Sequence, residues 1–188
     1  MKLSKTNSMS AEQLLQGCQK NDRKAQNELF RRYKTLVMSI CRRYNYHSES
    51  CNDTFQDCFV EIFKSLKGRQ EIRNLEAWIV RICININARS YYKESRATHG
   101  ELKDEHLDEG HLDILDSLSG EEVMACIHQL PDGFRVVFNL YFIEGYKHTE
   151  IAQLLDISES TSRSQLARAK SWLKKELESL GIYKYEAS

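Results

Sequence analysis

Along most of the chain apolar side chains return every three or four positions, the interval at which they share one face of an α-helix. Ala25, Leu29, Tyr33, Leu36, Val37, Ile40 and Tyr44 form one stripe, and Phe55, Phe59, Ile62, Phe63 and Leu66 form a second. Leu75, Trp78, Ile79, Ile82, Cys83 and Ile86 form a third. Ser10 and Gln13 have the spacing of a capping box, which opens a short helix ahead of the first stripe, and Asn74 stands where it can cap the helix of the third. Four helices that each bury one face make one core. A single proline, Pro131, and eight glycines leave these stretches free of breakers, so the expected fold class is all-α.

The periodicity fails from about residue 97, in ATHGELKDEHLDEGHLDILDSL, which has only scattered aliphatics. It returns at Ser119, whose spacing to Glu122 repeats the capping box ahead of Val123, Ile127 and Leu130. Pro131 then separates two helices; a helix over 132–143, a break at Gly145, a short helix over 148–155 and a long one from Glu159 to about Ser179 complete the reading. The expected organisation is a four-helix domain over 10–96, a linker over 97–118 and a second small helical domain over 119–183.

At 188 residues the chain is long enough for two such cores. Its 27 basic and 27 acidic side chains cancel, and the cancellation hides a segregation. Residues 1–96 carry a net +8, 97–118 a net −6, and 119–188 a net −2. A positive first domain beside an acidic tether fits a protein that touches a polyanion with its ends and not with its middle. No apolar run approaches the ~18 residues of a membrane span, and MKLSKTNSMS has neither the apolar stretch nor the cleavage site of a signal peptide, so a cytoplasmic location is expected. Cys18, Cys41, Cys51, Cys58, Cys83 and Cys126 include no C-x-x-C pair and mostly fall at apolar helical positions, as reduced, buried thiols do. His99, His106 and His111 lie in a polar stretch without a ligand set. No Gly-rich phosphate loop, metal-ligand spacing or nucleophile-base pair is present, so neither a cofactor nor an enzymatic activity is expected.

The segment HTEIAQLLDISESTSRSQLARAKSWLKKEL has the layout of a helix-turn-helix. Ile151, Ala152, Leu155, Ile157, Leu166 and Leu173 supply its apolar joint, Ser158 can cap the second helix, and Glu159 suits the positive end of that helix's dipole. Lys147 stands where a side-chain cap for the first helix would be, so a frayed start is expected there. From Ser160 to Lys175 the second helix has Arg163, Arg168, Lys170, Lys174 and Lys175 and no acid. Thr161, Arg163, Ser164, Gln165 and Arg168 are donors of the kinds that read base edges in the major groove, and the basic groups further along, Lys170 among them, suit phosphates. The pattern alone leaves a helical interaction module open as the alternative.

Taken together, residues 10–180 resemble a bacterial RNA polymerase sigma factor of the extracytoplasmic-function (ECF) group. DTFQDCFVEIFKSL, Asp53 to Leu66, is similar to the segment by which sigma factors dock on the clamp helices of the largest polymerase subunit. LEAWIVRICININARSYYK, Leu75 to Lys93, resembles the helix that recognises and opens the minus-ten element. The stretch from Gln129 to Lys170 resembles the minus-thirty-five reader, and its STSRSQLARA wording is like that of such factors in Bacteroidetes. The resemblance implies two helical sigma domains, region two and region four. It implies polymerase contacts at Asp53, Gln56, Asp57 and Glu61, on the polar side of their helix. It implies minus-ten contacts at Arg81, Asn85, Arg89, Tyr92 and Lys93, with Arg89 standing where relatives often have Asp or Asn. The loop Lys67 to Asn74, flanked by Lys64, Arg69 and Arg73, is the candidate pocket for an unstacked base. Trp78 resembles the aromatic position of the melting helix, while its place in the apolar stripe suits a core role.

The implied partners are core RNA polymerase, through the clamp helices and the flap, promoter DNA, and an anti-sigma factor that can be membrane-bound. The acidic linker of about 22 residues reaches at most ~75 Å when extended and ~25 Å on average when flexible. It must be stretched to join readers more than one duplex turn, ~34–36 Å, apart. A stand-alone helix-turn-helix regulator, whose first domain dimerises or senses, is the competing reading, and a helical adaptor that binds only protein is a third.

Overall fold

The structure, a computed structural model, describes residues 9–44, 48–68, 71–99 and 120–179. Among the described residues it is all helical: α1 (Ala11–Gln19), α2 (Arg23–Tyr44), α3 (Ser48–Leu66), α4 (Leu75–His99), α5 (Gly120–Gln129), α6 (Asp132–Phe138), a π-helical segment (Asn139–Ile143), α7 (His148–Leu155) and α8 (Glu159–Ser179). Arg69, the cap position Ser119, and the acidic stretch over 100–119 with His106 and His111 lie outside the described residues. The chain divides into two compact units, one of residues 1–42 and 48–86, the other of residues 43–47 and 87–188. α4 therefore changes unit at Ile86. No helix among the described residues is long and apolar enough to cross a membrane.

The first unit is built as the stripes require. Ser10 caps α1 reciprocally, its Oγ accepting from the Gln13 amide at 3.1 Å while its own amide donates to Gln13 Oε1 at 2.9 Å. Leu14, Ala25, Leu29, Val37, Ile40, Ile62, Leu66 and Ile79 are wholly buried. At the α2–α3 contact Phe30 lies 4.7 Å from Phe59 and 6.1 Å from Phe55, ring centre to ring centre. Asn74 Oδ1 accepts the Ala77 amide at 3.0 Å and so starts α4. Trp78, Ile82 and Ile86 are half-buried, whereas Ile84, Ala88 and Tyr91 are buried. The buried face of α4 is thus broader than its stripe indicates.

All six cysteines are free and buried. Burial, helped by the nearby Asp22 carboxylate, pushes the Cys18 thiol up to about 11. The contact of Cys58 with Cys41 favours its thiolate, but its hydrogen bond with Cys83 and its burial outweigh that and push the thiol up. These sulfurs pack as small apolar groups.

The second unit departs from the pattern at one place. The helix expected over 132–143 is α-helical only to Phe138 and then widens by a turn, the Glu144 amide donating to the carbonyl of Asn139 at 3.0 Å. Every residue from Arg135 to Leu140 is buried, whereas Tyr141, Phe142 and Ile143 are exposed. Arg135 and Asn139 are the polar members of the buried run, and Asn139 Nδ2 donates to the Arg43 carbonyl at 2.9 Å. Gly145, at φ +72°, ends the segment in a left-handed conformation that costs a glycine nothing. α7 then begins more firmly than expected. Although Lys147 offers no acceptor, its amide donates to Glu150 Oε2 at 2.8 Å, so the carboxylate three residues on reaches back to hold the helix start.

Candidate nucleic-acid interface

The best-formed site is the α7–turn–α8 pair. Asp156 closes α7 at φ 56°, a left-handed position that Asp tolerates better than most residues, and the Ile157 amide returns to the Ala152 carbonyl at 3.1 Å. Ile151, Leu155, Leu166, Ala169, Leu173 and Leu177 are buried and form the joint, with Ala152 and Ile157 half-buried at its edge. Ser158 caps α8, its Oγ accepting the Thr161 amide at 2.9 Å. Ser158→Ala is therefore expected to lower stability by about 1 kcal/mol, read as a fall in the thermal midpoint; an unchanged midpoint would mean that the cap adds nothing here.

One pin at this site escapes a reading of the sequence. Ser162 is wholly buried and its Oγ lies 2.9 Å from His148 Nδ1, tying the first turn of α7 to α8, while the His148 ring stacks on Tyr141 at 4.7 Å. The signal was present in the spacing, because Ser162, Leu166, Ala169, Leu173 and Leu177 make one stripe with a serine at its head.

The candidate reading residues differ in exposure. Arg163 is exposed and pairs with Glu159 one turn back. Thr161, Ser164 and Arg168 are half-buried, and the Ser164 hydroxyl donates to the Thr161 carbonyl at 3.1 Å. Gln165 is 8% exposed and its Nε2 donates to the Tyr92 hydroxyl at 2.7 Å. Lys170 holds its ammonium 5.6 Å from the centre of the Phe142 ring, and Lys174 and Lys175 are exposed.

The candidates on α3 and α4 divide in the same way. Asp53, Gln56 and Asp57 are exposed and Glu61 is half-buried, accepting from Ser65 Oγ at 2.8 Å. Val60, 64% exposed, lies on the same face, so this polar surface has an apolar centre. Lys64 and Arg73 are exposed with carboxylates near them, Glu61 at 3.9 Å and Glu71 at 3.3 Å. Arg81 and Lys93 are exposed and Asn85 half-buried. Arg89 is exposed yet donates from Nε to the Leu154 carbonyl at 3.3 Å, and Tyr92 is buried. Among the described residues no group of three or more His, Cys, Asp or Glu side chains is placed to hold a metal ion.

Residues 29–97 match the model of sigma-70 region 2, and residues 120–173 match that of sigma-70 region 4. The ECF RNA polymerase sigma-E factor of Haemophilus influenzae is 26% identical over 180 residues, covering 89% of this chain and 95% of that protein. The RNA polymerase sigma-H factor of Pseudomonas aeruginosa is 24% identical over 182 residues, covering 90% and 94%. Among solved structures, that of CnrH in complex with the cytosolic domain of CnrY aligns over 88% of this chain and 96% of that one, at 22% identity and a TM-score of 0.47. With region 2 followed by region 4, and with relatives of the same group matched almost end to end, the chain belongs to the sigma-70 family as an ECF sigma factor, which directs RNA polymerase in transcription initiation.

Proposed function

We propose how the work is divided along the chain. Residues 10–96 dock on core polymerase and read and open the minus-ten element, 97–118 are the acidic linker, and 119–183 read the minus-thirty-five element. The observation that carries the upstream half is α8: capped, rigidly jointed to α7, and free of acid from Ser160 to Lys175. Such a helix can enter a major groove with its first turns, where Thr161, Arg163, Ser164, Gln165 and Arg168 meet base edges, while Lys170 and the lysines beyond hold phosphate. On α3 the exposed Asp53, Gln56 and Asp57, with Glu61 beside them, suit a basic partner surface, and Val60 gives that contact an apolar centre.

Melting needs a base to leave its stack and to be caught. Lys64, Arg69, Arg73, Arg81, Asn85, Arg89, Tyr92 and Lys93 are the groups assigned to catching the strand and its phosphates. Two modest readers joined by a tether gain affinity through effective concentration when both engage. The chain acts in the cytoplasm, beside its promoters. An anti-sigma factor, free or membrane-bound, is the partner proposed to cover these surfaces, and the likeness of the STSRSQLARA wording to that of Bacteroidetes factors supports a Bacteroidetes-type member.

Mixed with core polymerase, the purified chain is expected to copurify with it and to yield discrete run-off transcripts from a pool of genomic fragments. Asp57→Arg should weaken that association about tenfold or more, a loss of at least ~1.4 kcal/mol, with the fold intact. Arg168→Ala should leave association unchanged and relax discrimination at the upstream element by roughly 1–3 kcal/mol. A chain that neither copurifies nor changes the transcripts would end the assignment.

A further inference from the structure

Inside the second unit the α7–α8 joint is apolar except at its reading end. Ile151, Leu155, Leu166, Ala169, Leu173 and Leu177 bury aliphatic surface, but the head of the same stripe is Ser162, wholly buried. An alanine or valine there would fill the space with no hydroxyl to satisfy, so burial alone does not account for a serine. Its Oγ lies 2.9 Å from His148 Nδ1 in the first turn of α7, and since a hydroxyl can give or take a hydrogen bond, this one forms with either tautomer of the neutral ring. The partner is itself held in place. The His148 ring stacks on Tyr141 of the π-helical segment, centres 4.7 Å apart and planes 24° apart, and the Lys147 amide beside it donates to Glu150 Oε2 at 2.8 Å.

Aliphatic packing is non-directional, so on its own it lets one helix turn slightly on another at little cost. A hydrogen bond is directional and weakens steeply as its angle opens. Ser162 stands between Thr161 and Arg163, with Ser164 next, at the end of α8 assigned to base edges. A turn of α8 about its axis therefore moves those side chains across the groove, where a well-aligned bidentate contact favours its base pair by about 5- to 150-fold.

Building on the assignment of α8 as the upstream reader, we propose that His148 and Ser162 are positioning residues for promoter selection: their hydrogen bond fixes the rotation of α8 on α7, and so sets how sharply the reading residues at the head of α8 tell one base pair from another. Ser162 is buried and touches no base itself; it acts through Thr161 and Arg163 on either side of it. The pair is a buried polar contact that selects one arrangement of two helices, a use to which apolar side chains are poorly suited. It also separates two quantities that packing alone would change together, stability and discrimination.

The test uses the holoenzyme reconstituted from core polymerase and the full chain, with promoter duplexes selected from a random pool and the same duplexes altered at single base pairs of the upstream element. Its readout is the ratio of binding to the two, set beside the thermal midpoint of each chain. His148→Phe keeps a ring on Tyr141 and removes the hydrogen bond, and Ser162→Ala removes it from the other side; each should lower discrimination about fivefold or more and the midpoint by about 2–4 °C. In the double variant both halves of the bond are gone, so the midpoint should return most of the way to the parent's while discrimination stays low. His148→Asn, whose amide reaches the place of Nδ1, should discriminate better than His148→Phe although it gives up the stack. Discrimination at the minus-ten element should not change in any of them. A double variant that regains discrimination together with stability, His148→Asn no better than His148→Phe, or variants that all select as the parent does, overturns the positioning role. A parent holoenzyme without upstream discrimination removes the reader assignment itself, and this role with it.

Discussion

Replacing Arg135 by Ala is expected to cost about 3–5 kcal/mol of stability, because three backbone carbonyls lose their charged donor, at about 1–3 kcal/mol for each left unsatisfied. Arg135 is 7% exposed, and nothing in its neighbourhood in the sequence marks it as a core residue. Each of its guanidinium nitrogens is engaged: Nη1 donates to the carbonyls of His128 at 3.0 Å and Leu130 at 3.2 Å, Nε to that of Tyr44 at 3.0 Å, and Nη2 to the Asp132 carboxylate. The reason for an arginine here lies in the chain ahead of it. α5 ends at Gln129, and Pro131 follows without an amide to offer, so carbonyls at that helix end need donors from elsewhere. A planar fork of five N–H groups reaches several of them at once.

Deleting it leaves those carbonyls dry and empties the space between α5 and α6. Equilibrium urea unfolding followed by far-UV circular dichroism checks the size of the loss. Arg135→Lys keeps the charge but loses the fork, so it should recover less than half of the difference. A lysine variant as stable as the parent would show that charge, and not the set of carbonyls, is what the site requires.

Arg135 also shows where sequence reading stops. Helix positions were legible wherever a stripe and a cap coincided: Ser10 with Gln13, Asn74 and Ser158 all cap as their spacing indicates, and α7 and α8 begin and end where the helix-turn-helix pattern puts them. The widened turn at Asn139 was not legible, because VVFNLYFI is apolar almost throughout and a continuous run carries no phase to distinguish α from π. Asn139 and Arg135 are polar residues in core positions whose acceptors, the Arg43 and Tyr44 carbonyls, lie 96 and 91 residues away. No local rule pairs groups at that separation.

The candidate sites were legible as residue types and less so as surfaces. Arg163, Asp53 and Asp57 are exposed, as a contact residue should be, but Gln165 and Tyr92 are buried against each other. Gln165 was a candidate by its donor type and Tyr92 by the family resemblance. Neither ground registers that one covers the other, because that burial is set by tertiary packing and not by either helix.

Gly17→Ala is expected to destabilise the chain by about 1–3 kcal/mol, the usual cost of forcing an extra carbon into a packed interface. The sign runs against local propensity, since Gly to Ala in a helix interior ordinarily stabilises by roughly 0.5–1 kcal/mol. A Cβ on Gly17 would lie 2.4 Å from the Cβ of Ala25, which is itself wholly buried on α2. Neither methyl has a rotamer that moves it aside, so α1 would have to shift bodily. It is poorly free to do so. The Asp22 amide returns to the Gly17 carbonyl at 2.9 Å, Asn21 takes a left-handed φ of 56° to make the turn, and Arg32 Nη2 holds the Met9 carbonyl at 2.6 Å at the other end. Thermal unfolding of Gly17→Ala, Ala25→Gly and the double variant separates steric clash from propensity. If the close approach governs, the double variant should be more stable than the two single losses predict, because removing one methyl makes room for the other. Strict additivity, or a more stable Gly17→Ala chain, would mean that α1 can back away from α2 at little cost.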